Sequence, residues 1–310
     1  VSDPTRGEGY NPGYRRLFGD DSLTVGLGLP LGGERRATAP TTEELRLATR
    51  AEALGFDALW VRDVPTYWPR FGDSGGGLAP WPLLGALAAH TEEVALGTAS
   101  VVLPLRHPIH LAASAATVDR LSGGRLVLGV ASGDREPEYA AFGVDPAERG
   151  AAVREAMAAM RACWRESFPA VEGEWGGLEG DLDVLPKPEA GMIPLLPTGN
   201  ARQSREWIAE HGDGWLFYHL PESTLESYLD SWRSLAGGKP FVIAARVAFA
   251  DDPNAGPEPL HLGYRAGVEW FRGYFDRLEA LGLDHVIVGL EGDDPEAAMA
   301  TFARSILADR

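Results

Sequence analysis

The sequence of 310 residues contains one cysteine, Cys163. A single thiol excludes an internal disulfide framework and a cysteine-rich zinc site. Its apolar, helical surroundings make it a small core residue before a nucleophile. Lysine is almost missing: Lys187 and Lys239 are the only two among 28 basic residues, against 45 Asp and Glu, for a net charge of −17. This shortage of cations argues against gripping a nucleic-acid backbone, where clustered Lys and Arg gain affinity by releasing counterions. It argues equally against docking on an anionic membrane leaflet. Long apolar runs are absent as well. The longest, Val94 to Leu105, is too short to cross a bilayer as a helix. Residues Val1 to Glu8 show no apolar core behind a basic start, so no signal peptide is expected and the expected location is cytoplasmic. No Gly-x-Gly-x-x-Gly stands at a strand–helix turn; Gly26-Leu27-Gly28 lies inside a strand, so a nicotinamide fingerprint is not read.

What is present is a regular alternation. The 45% apolar content suffices for one sizeable core, expected as a single domain over residues 1–310 with residues 1–21 as an arm. Strand patterns fall at Leu23–Leu31, Ala58–Val61, Val94–Leu103, Arg125–Ala131, Ile193–Pro197, Trp215–Tyr218, Phe241–Phe249 and His285–Leu290. Helix patterns fall at Thr41–Leu54, Trp81–His90, Pro108–Leu121, Pro146–Trp164, Ala201–Glu210, Glu222–Leu235, Gly263–Leu281 and Pro295–Leu307. Continuously apolar strands between amphipathic helices indicate a parallel sheet covered by helices. Eight strand–helix units predict an α/β fold, a (β/α)8 TIM barrel with insertions after strand two (Val64–Pro80) and before strand five (Pro169–Met192). An open doubly wound sheet is the alternative.

Barrel sites lie at the C-terminal ends of the strands. That rule nominates Leu29–Leu31, Asp63 and the loop beyond it, Thr98–Ser100 with His107, Ala131–Asp134, Thr198–Ser204, Tyr218–His219, Arg246 and Glu291. Small residues end strand three (Gly97, Thr98, Ala99, Ser100) and strand four (Ala131, Ser132, Gly133), which would let a flat ring lie against backbone. Tight barrel packing would require the same residues. The turn Thr198-Gly-Asn-Ala-Arg-Gln-Ser offers amides at a helix start, a serine hydroxyl and an arginine, the chemistry of a phosphate site. Ordinary capping by Asn200 is the alternative.

The stretches Gly97-Thr-Ala-Ser-Val-Val-Leu-Pro with His107-Pro108, Leu121-Ser-Gly-Gly-Arg-Leu with Gly129-Val-Ala-Ser-Gly, and Gly199-Asn-Ala-Arg-Gln-Ser-Arg-Glu-Trp-Ile-Ala are similar to those of the bacterial luciferase-like flavin monooxygenases. The resemblance runs from about residue 23 over nearly the whole chain. It implies a (β/α)8 barrel that binds FMN, or in some branches the deazaflavin F420, at the strand ends. By the same resemblance Ala99–Ser100, beside Thr98, matches a non-proline cis peptide under the flavin ring. Ala131, Ser132 and Gly133 match the segment bordering the cofactor. Gly199, Asn200, Ala201, Arg202, Gln203 and Ser204 match the phosphate-binding turn. Two departures stand out. Luciferase has a catalytic histidine after strand two where this chain reads Arg62-Asp63-Val64, and a phosphate-binding arginine where this chain has Ser132. Light emission is therefore not expected, and Arg202 or Arg135 is left to supply the missing cation.

The candidate catalytic residues are Asp63, His107 and Tyr139. Asp63 either orients the ring and exchanges a proton or pairs with an arginine at the rim. His107, before Pro108, reads first as a cap or brace and second as a proton carrier. Tyr139, with Glu138, sits in a stretch read as a polar loop that either touches cofactor or faces solvent. Tyr67, Trp68 and Phe71, ahead of Gly75–Gly77, suit a substrate lid or a structural cover over the mouth. Pro169–Met192 is read as a surface excursion without chemistry. No metal site is expected. The leading expectation is a monooxygenase that uses reduced FMN and oxygen on a small organic substrate, with a separate flavin reductase as partner and a homodimer as assembly. The alternatives are an F420-dependent dehydrogenase or reductase, a non-catalytic flavin-binding barrel, and an unrelated phosphate-binding isomerase.

Overall fold

The computed structural model describes residues 7–29, 41–71 and 77–308. Its first half runs α1 (Pro12–Phe18), β1 (Thr24–Leu29), α2 (Thr41–Ala53), β2 (Ala58–Val61), α3 (Pro80–His90), β3 (Ala95–Val102), α4 (Pro108–Leu121), β4 (Leu126–Ala131), α5 (Glu136–Phe142) and α6 (Arg149–Arg165). Its second half runs β5 (Ala170–Gly173), β6 (Gly176–Glu179), β7 (Leu195–Pro197), α7 (Arg205–His211), β8 (Trp215–Tyr218), α8 (Glu222–Ala236), β9 (Phe241–Phe249), β10 (Glu258–Leu260), β11 (Gly263–Ala266), α9 (Val268–Ala280), β12 (His285–Glu291) and α10 (Pro295–Phe302). The strands β9, β12, β1, β2, β3, β4 and β7 are parallel neighbours in that order, and β8 pairs with β9. One parallel bridge, Thr198 with Leu216, joins β7 to β8 and brings the eight strands round into a ring. This is an α/β fold of the (β/α)8 barrel type.

Alternation along each strand divides the side chains. Outward residues such as Val25, Leu27, Leu59, Leu96 and Leu128 join the core shared with the helices. Inward residues Ala58, Trp60, Ala95, Val127, Leu196, Leu216, Val242 and Ile287 form a second cluster inside the ring. Trp60 is the bulky member, and its neighbours make room for it. A Cβ at Gly97 would overlap the indole ring, and one at Gly26 would lie 2.5 Å from its Nε1. The indole N–H donates to His285 Nε2 at 2.9 Å, and His285 Nδ1 lies 2.7 Å from Thr24 Oγ1. The imidazole is thus fixed, fully buried and neutral.

The N-terminal arm corrects the sequence reading, which gave it no element. Helix α1 closes the lower end of the barrel with Tyr14, Leu17 and Phe18 against the inward cluster. Its cap Asn11 accepts from the Tyr14 amide and donates to Asp119 Oδ1 and to the Leu126 carbonyl. Tyr10 and Tyr14 both donate to Asp213, which also pairs with Arg161.

Other boundaries shift for local reasons. The expected strand from Arg125 begins at Leu126, because the Arg125 guanidinium folds back on the carbonyls of Ala88, Thr91 and Val94. The helix expected from Ala201 begins at Arg205, after Ser204 caps it. The stretch read as a polar loop around Tyr139 is helix α5. The helix expected from Gly263 begins at Val268, and Gly263–Ala266 is β11 instead. β8 occupies one side of β9 along Phe241–Ala244, and β11 follows along Arg246–Phe249. Gly263 permits this approach, since a Cβ there would overlap the Arg246 carbonyl. The insertion before strand five is the hairpin β5–β6. Pro30, Leu31, Gly75 and Gly76 lie outside the described residues.

His285 carries a testable consequence. Burial pushes its pKa from 6.5 down to about 3. Below pH 6.5 the unfolded chain takes a proton that the fold refuses, so stability falls as pH drops through this window. Between pH 7 and pH 5 this one group costs about 2 kcal/mol. Urea unfolding of His285→Gln should show a pH dependence smaller by about that amount; an identical dependence would contradict the account.

Candidate functional site

The floor of the mouth is the end of β3. Thr98 is fully buried and donates from Oγ1 to the Gly129 carbonyl at 2.8 Å. The next peptide, Ala99–Ser100, is cis, as the resemblance implied, and the pairing with β4 shifts register between Thr98 and Val101. The Ser100 hydroxyl makes a short hydrogen bond with Thr198 Oγ1. This contact joins the strand-three floor to the turn that follows β7.

The end of β4 forms the next wall. Gly133 takes φ +85°, where glycine is at ease. A Cβ there would lie 2.9 Å from both the Tyr139 hydroxyl and Val102 Cγ1. Tyr139 is 2% exposed and donates from its hydroxyl to the Ser132 carbonyl at 2.8 Å. Burial raises its pKa, so it stays a donor. It is neither in a loop nor facing solvent: it anchors the Ser132–Gly133 segment from below. Ser132 is itself buried. Asp134, one step on, is exposed, and its charge is felt at both Tyr139 and Tyr218. Tyr218, at the end of β8, is 44% exposed across the mouth. A Cβ at Gly199 would lie 3.2 Å from its ring.

The turn Gly199–Ser204 is tightly wound, with φ of +56°, +44° and +60° at Gly199, Ala201 and Arg202. Gly199, Ala201 and Gln203 donate their amides to Leu216, Thr198 and Asn200 carbonyls. The amides of Asn200, Arg202 and Ser204 donate to no protein group among the described residues. Ser204, not Asn200, caps α7 by accepting from the Trp207 amide. Gln203 fastens the turn to α6, donating to the Gly150 carbonyl at 2.7 Å and accepting from Arg154. Arg202 is exposed beside Gly150. Arg205 instead lies over the Tyr228 ring at 4.3 Å.

The remaining candidates are committed to structure. Asp63 Oδ1 and Oδ2 take a forked pair of bonds from Arg106 at 2.5 and 2.8 Å, and Oδ2 also accepts from the Val102 amide. The Asp63 side chain is 1% exposed, so of the two readings the ion pair is the one present. Its carboxylate in turn raises the pKa of Arg106. His107 is the cap of α4, accepting from the Ile109 amide at Nδ1. Arg135 is buried, paired with Glu138 and seated against the Trp68 and Phe71 rings, so it does not supply the expected cation. Arg246 pairs with Glu291 at 3.0 Å. Cys163 is buried, with its pKa raised by that burial. Among the described residues, no cluster of three or more His, Cys, Asp or Glu could hold a metal, and no helix is long and apolar enough to cross a membrane. A separate cleft of about 110 Å³ lies between α6 and the β5–β6 hairpin, lined by Pro104, Arg106, Glu155 and Trp175 among others.

The strand-end mouth thus brings together the β3 floor, the end of β4 and the Gly199–Ser204 turn. The chain belongs to the luciferase-like monooxygenase family, whose model matches residues 28–285. It is 32% identical over 248 residues to an F420-dependent glucose-6-phosphate dehydrogenase of Segniliparus rotundus, covering 75% of this chain and 71% of that one. It is 40% identical over 141 residues to an uncharacterised protein of Mycobacterium tuberculosis, covering 45% and 49%. In these first matches the chain spans about half the length of the curated relatives. In fold it resembles a monooxygenase from Streptomyces bottropensis (TM-score 0.74, 21% identity, 93% and 99% covered). It also resembles an F420-dependent secondary alcohol dehydrogenase (TM-score 0.76, 20% identity, 93% and 99% covered).

Sequence reasoning placed Thr98–Ser100, Ala131–Gly133 and Gly199–Ser204 at one mouth, and the structure brings them together. It missed Arg106 as the partner of Asp63 and Thr66 as a partner of Glu138. Nothing in the chain flags either, although Arg106 directly precedes the cap His107. If Tyr139 anchors the Ser132–Gly133 segment, Tyr139→Phe should lose about 1 kcal/mol of stability, one hydrogen bond. Gly133→Ala should lose more, through its positive φ and the crowded Cβ. Urea midpoints read both; an unchanged Tyr139→Phe would refute the anchor.

Proposed function

We propose that this protein is a two-electron oxidoreductase that holds a flavin-type tricyclic cofactor in the barrel mouth, with F420 ahead of FMN. One observation carries the reading most. The small-residue floor at Thr98–Ser100 meets, through the Ser100–Thr198 contact, the turn that carries the open amides of Asn200, Arg202 and Ser204. A flat ring needs the first, and a phosphate needs the second.

The residues fit such a group in shape and in donor chemistry. Gly133 and Gly199 sit where side chains would crowd Tyr139 and Tyr218, so backbone borders the space. Three unused amides and the exposed Arg202 offer donors and a positive charge to a phosphate on a chain whose net charge is −17. When bound, F420 or FMN supplies the electron-pair chemistry, which belongs to the cofactor. The chain binds and orients the ring, while Tyr218 and Trp68 exclude water from its neighbourhood. With Asp63 held by Arg106 and Glu138 by Arg135, Asp134 is an exposed carboxylate whose charge reaches Tyr218.

The order of cofactors differs from the one the sequence suggested. The F420-dependent relative at 32% identity supports F420, while the monooxygenase neighbours at 18–21% identity speak to fold alone. The substrate is proposed only as a small organic molecule, the enzyme as an intracellular one without nucleic-acid or membrane partners, and the assembly as a homodimer. Under the F420 reading no separate flavin reductase is needed.

Fluorescence titration tests the reading. One F420 should bind per chain, about tenfold or more tightly than FMN, and Arg202→Ala should weaken it about tenfold, the loss of one charge-assisted bond. Tighter binding of FMN with oxygen uptake would reverse the order of cofactors. Failure to bind either would overturn the proposal.

A further inference from the structure

The loop after β2 is fastened in an unusual way. Arg135 and Glu138, at the start of α5, form an ion pair whose side chains are 6% and 4% exposed. Arg135 Nε donates to Glu138 Oε1 at 2.9 Å, and Arg135 Nη2 donates to the Thr66 carbonyl at 2.9 Å. The Thr66 hydroxyl donates to the same Glu138 oxygen at 2.6 Å. Above this knot the Arg135 guanidinium lies 5.0 Å from the Phe71 ring and 5.8 Å from the Trp68 ring. The two rings stack on each other at 5.5 Å and 18°. Burying an ion pair is seldom a route to stability, because desolvation offsets the attraction; its documented use is to fix one arrangement. Here the arrangement is the loop Val64–Phe71 held against the start of α5. Arg135 stands two residues beyond Gly133, on the wall formed by the end of β4. Tyr67 and Phe71 remain 61% and 43% exposed there, aromatic surface with a face still to cover.

We propose that Arg135 is a positioning residue: with Glu138 and Thr66 it holds Trp68 and Phe71 as a fixed aromatic wall that stacks against a flat conjugated ring bound above Ala99–Ser100. The segment Val64–Phe71 is then a standing wall, which favours the structural cover over the substrate lid among the two readings the sequence left open. A guanidinium is needed because it is planar, able to stack on rings while its N–H groups bond in plane; a lysine ammonium cannot do both. The stacking role rests on the reading of the mouth as a flavin-type site, whereas the fastening of the loop stands independently of it.

Two measurements on the full chain separate these. Hydrogen exchange over residues 62–71 should accelerate roughly fivefold in Thr66→Val, which removes one hydrogen bond and leaves both charges paired. Arg135→Lys should do at least as much, with β3 amides unchanged in both variants. Unaltered exchange in both would overturn the fastening. The second measurement is F420 fluorescence. An indole stacked on the bound ring should quench it; Trp68→Phe should restore emission. Arg135→Lys should restore part of it. Equal quenching in all three proteins would overturn the wall. If wild type binds no F420 or FMN, the cofactor reading and the stacking fall together, and the exchange result still decides whether Arg135 fastens the loop.

Discussion

A ring of eight strands must fill its own interior, and the way this one is filled governs the rest of the molecule. Below, the filling is bulky. Trp60 lies across the ring, bonded to the buried His285, with α1 closing the end beneath them. Glycines at 26 and 97 are the consequence, since any side chain there would meet the indole. Above, the filling is small. Small residues, Thr98, Ala99, Ser100, Gly129 and Ala131, line the strand ends, with Ala99, Ser100 and Ala131 partly exposed. The same ring of strands therefore has a bulky, sealed base and a small-residue upper end, the end at which barrel sites lie.

That mouth is bordered by groups already committed to one another, which limits the mechanism. Asp63 serves Arg106, His107 caps a helix, Tyr139 holds a backbone carbonyl and Glu138 binds Arg135. Each of these looks catalytic when read as a residue type, and each has a structural partner in the fold. Among the described residues the amides of Asn200, Arg202 and Ser204 donate to no protein group, and the Arg202, Asp134 and Tyr218 side chains are exposed. Backbone donors and one cation suit an anionic ligand on an acidic protein, because they act locally where the overall charge repels. The proposed division of labour agrees with this: a cofactor would react and the chain would position it.

The fold was legible because its signals are periodic. Continuously apolar strands between amphipathic helices, with Pro108 and the Ser122–Gly124 turn as punctuation, located the ring to within a few residues. The misses have physical causes. α1 is short and amphipathic only relative to the barrel floor it covers, so the arm showed no pattern of its own. β11 reads as the start of a helix because Gly263–Ala266 is followed directly by α9. For the site, the small-residue stretches and the turn were visible as composition at strand ends. Partners distant in sequence were not. Asp63 and Arg106 are 43 positions apart, and Thr66 and Glu138 are 72 apart, so nothing local marks them as pairs. The same limit left Asp63 and Tyr139 looking like chemistry.

The account stands on the mouth as the seat of a flat, phosphate-bearing cofactor, and a crystal structure of the protein grown with F420 tests that most directly. The account predicts the ring above Ala99–Ser100, beside Trp68, with the phosphate on the amides of Asn200, Arg202 and Ser204. F420 bound instead in the outer cleft between α6 and the β5–β6 hairpin, with the mouth filled by solvent, would contradict it.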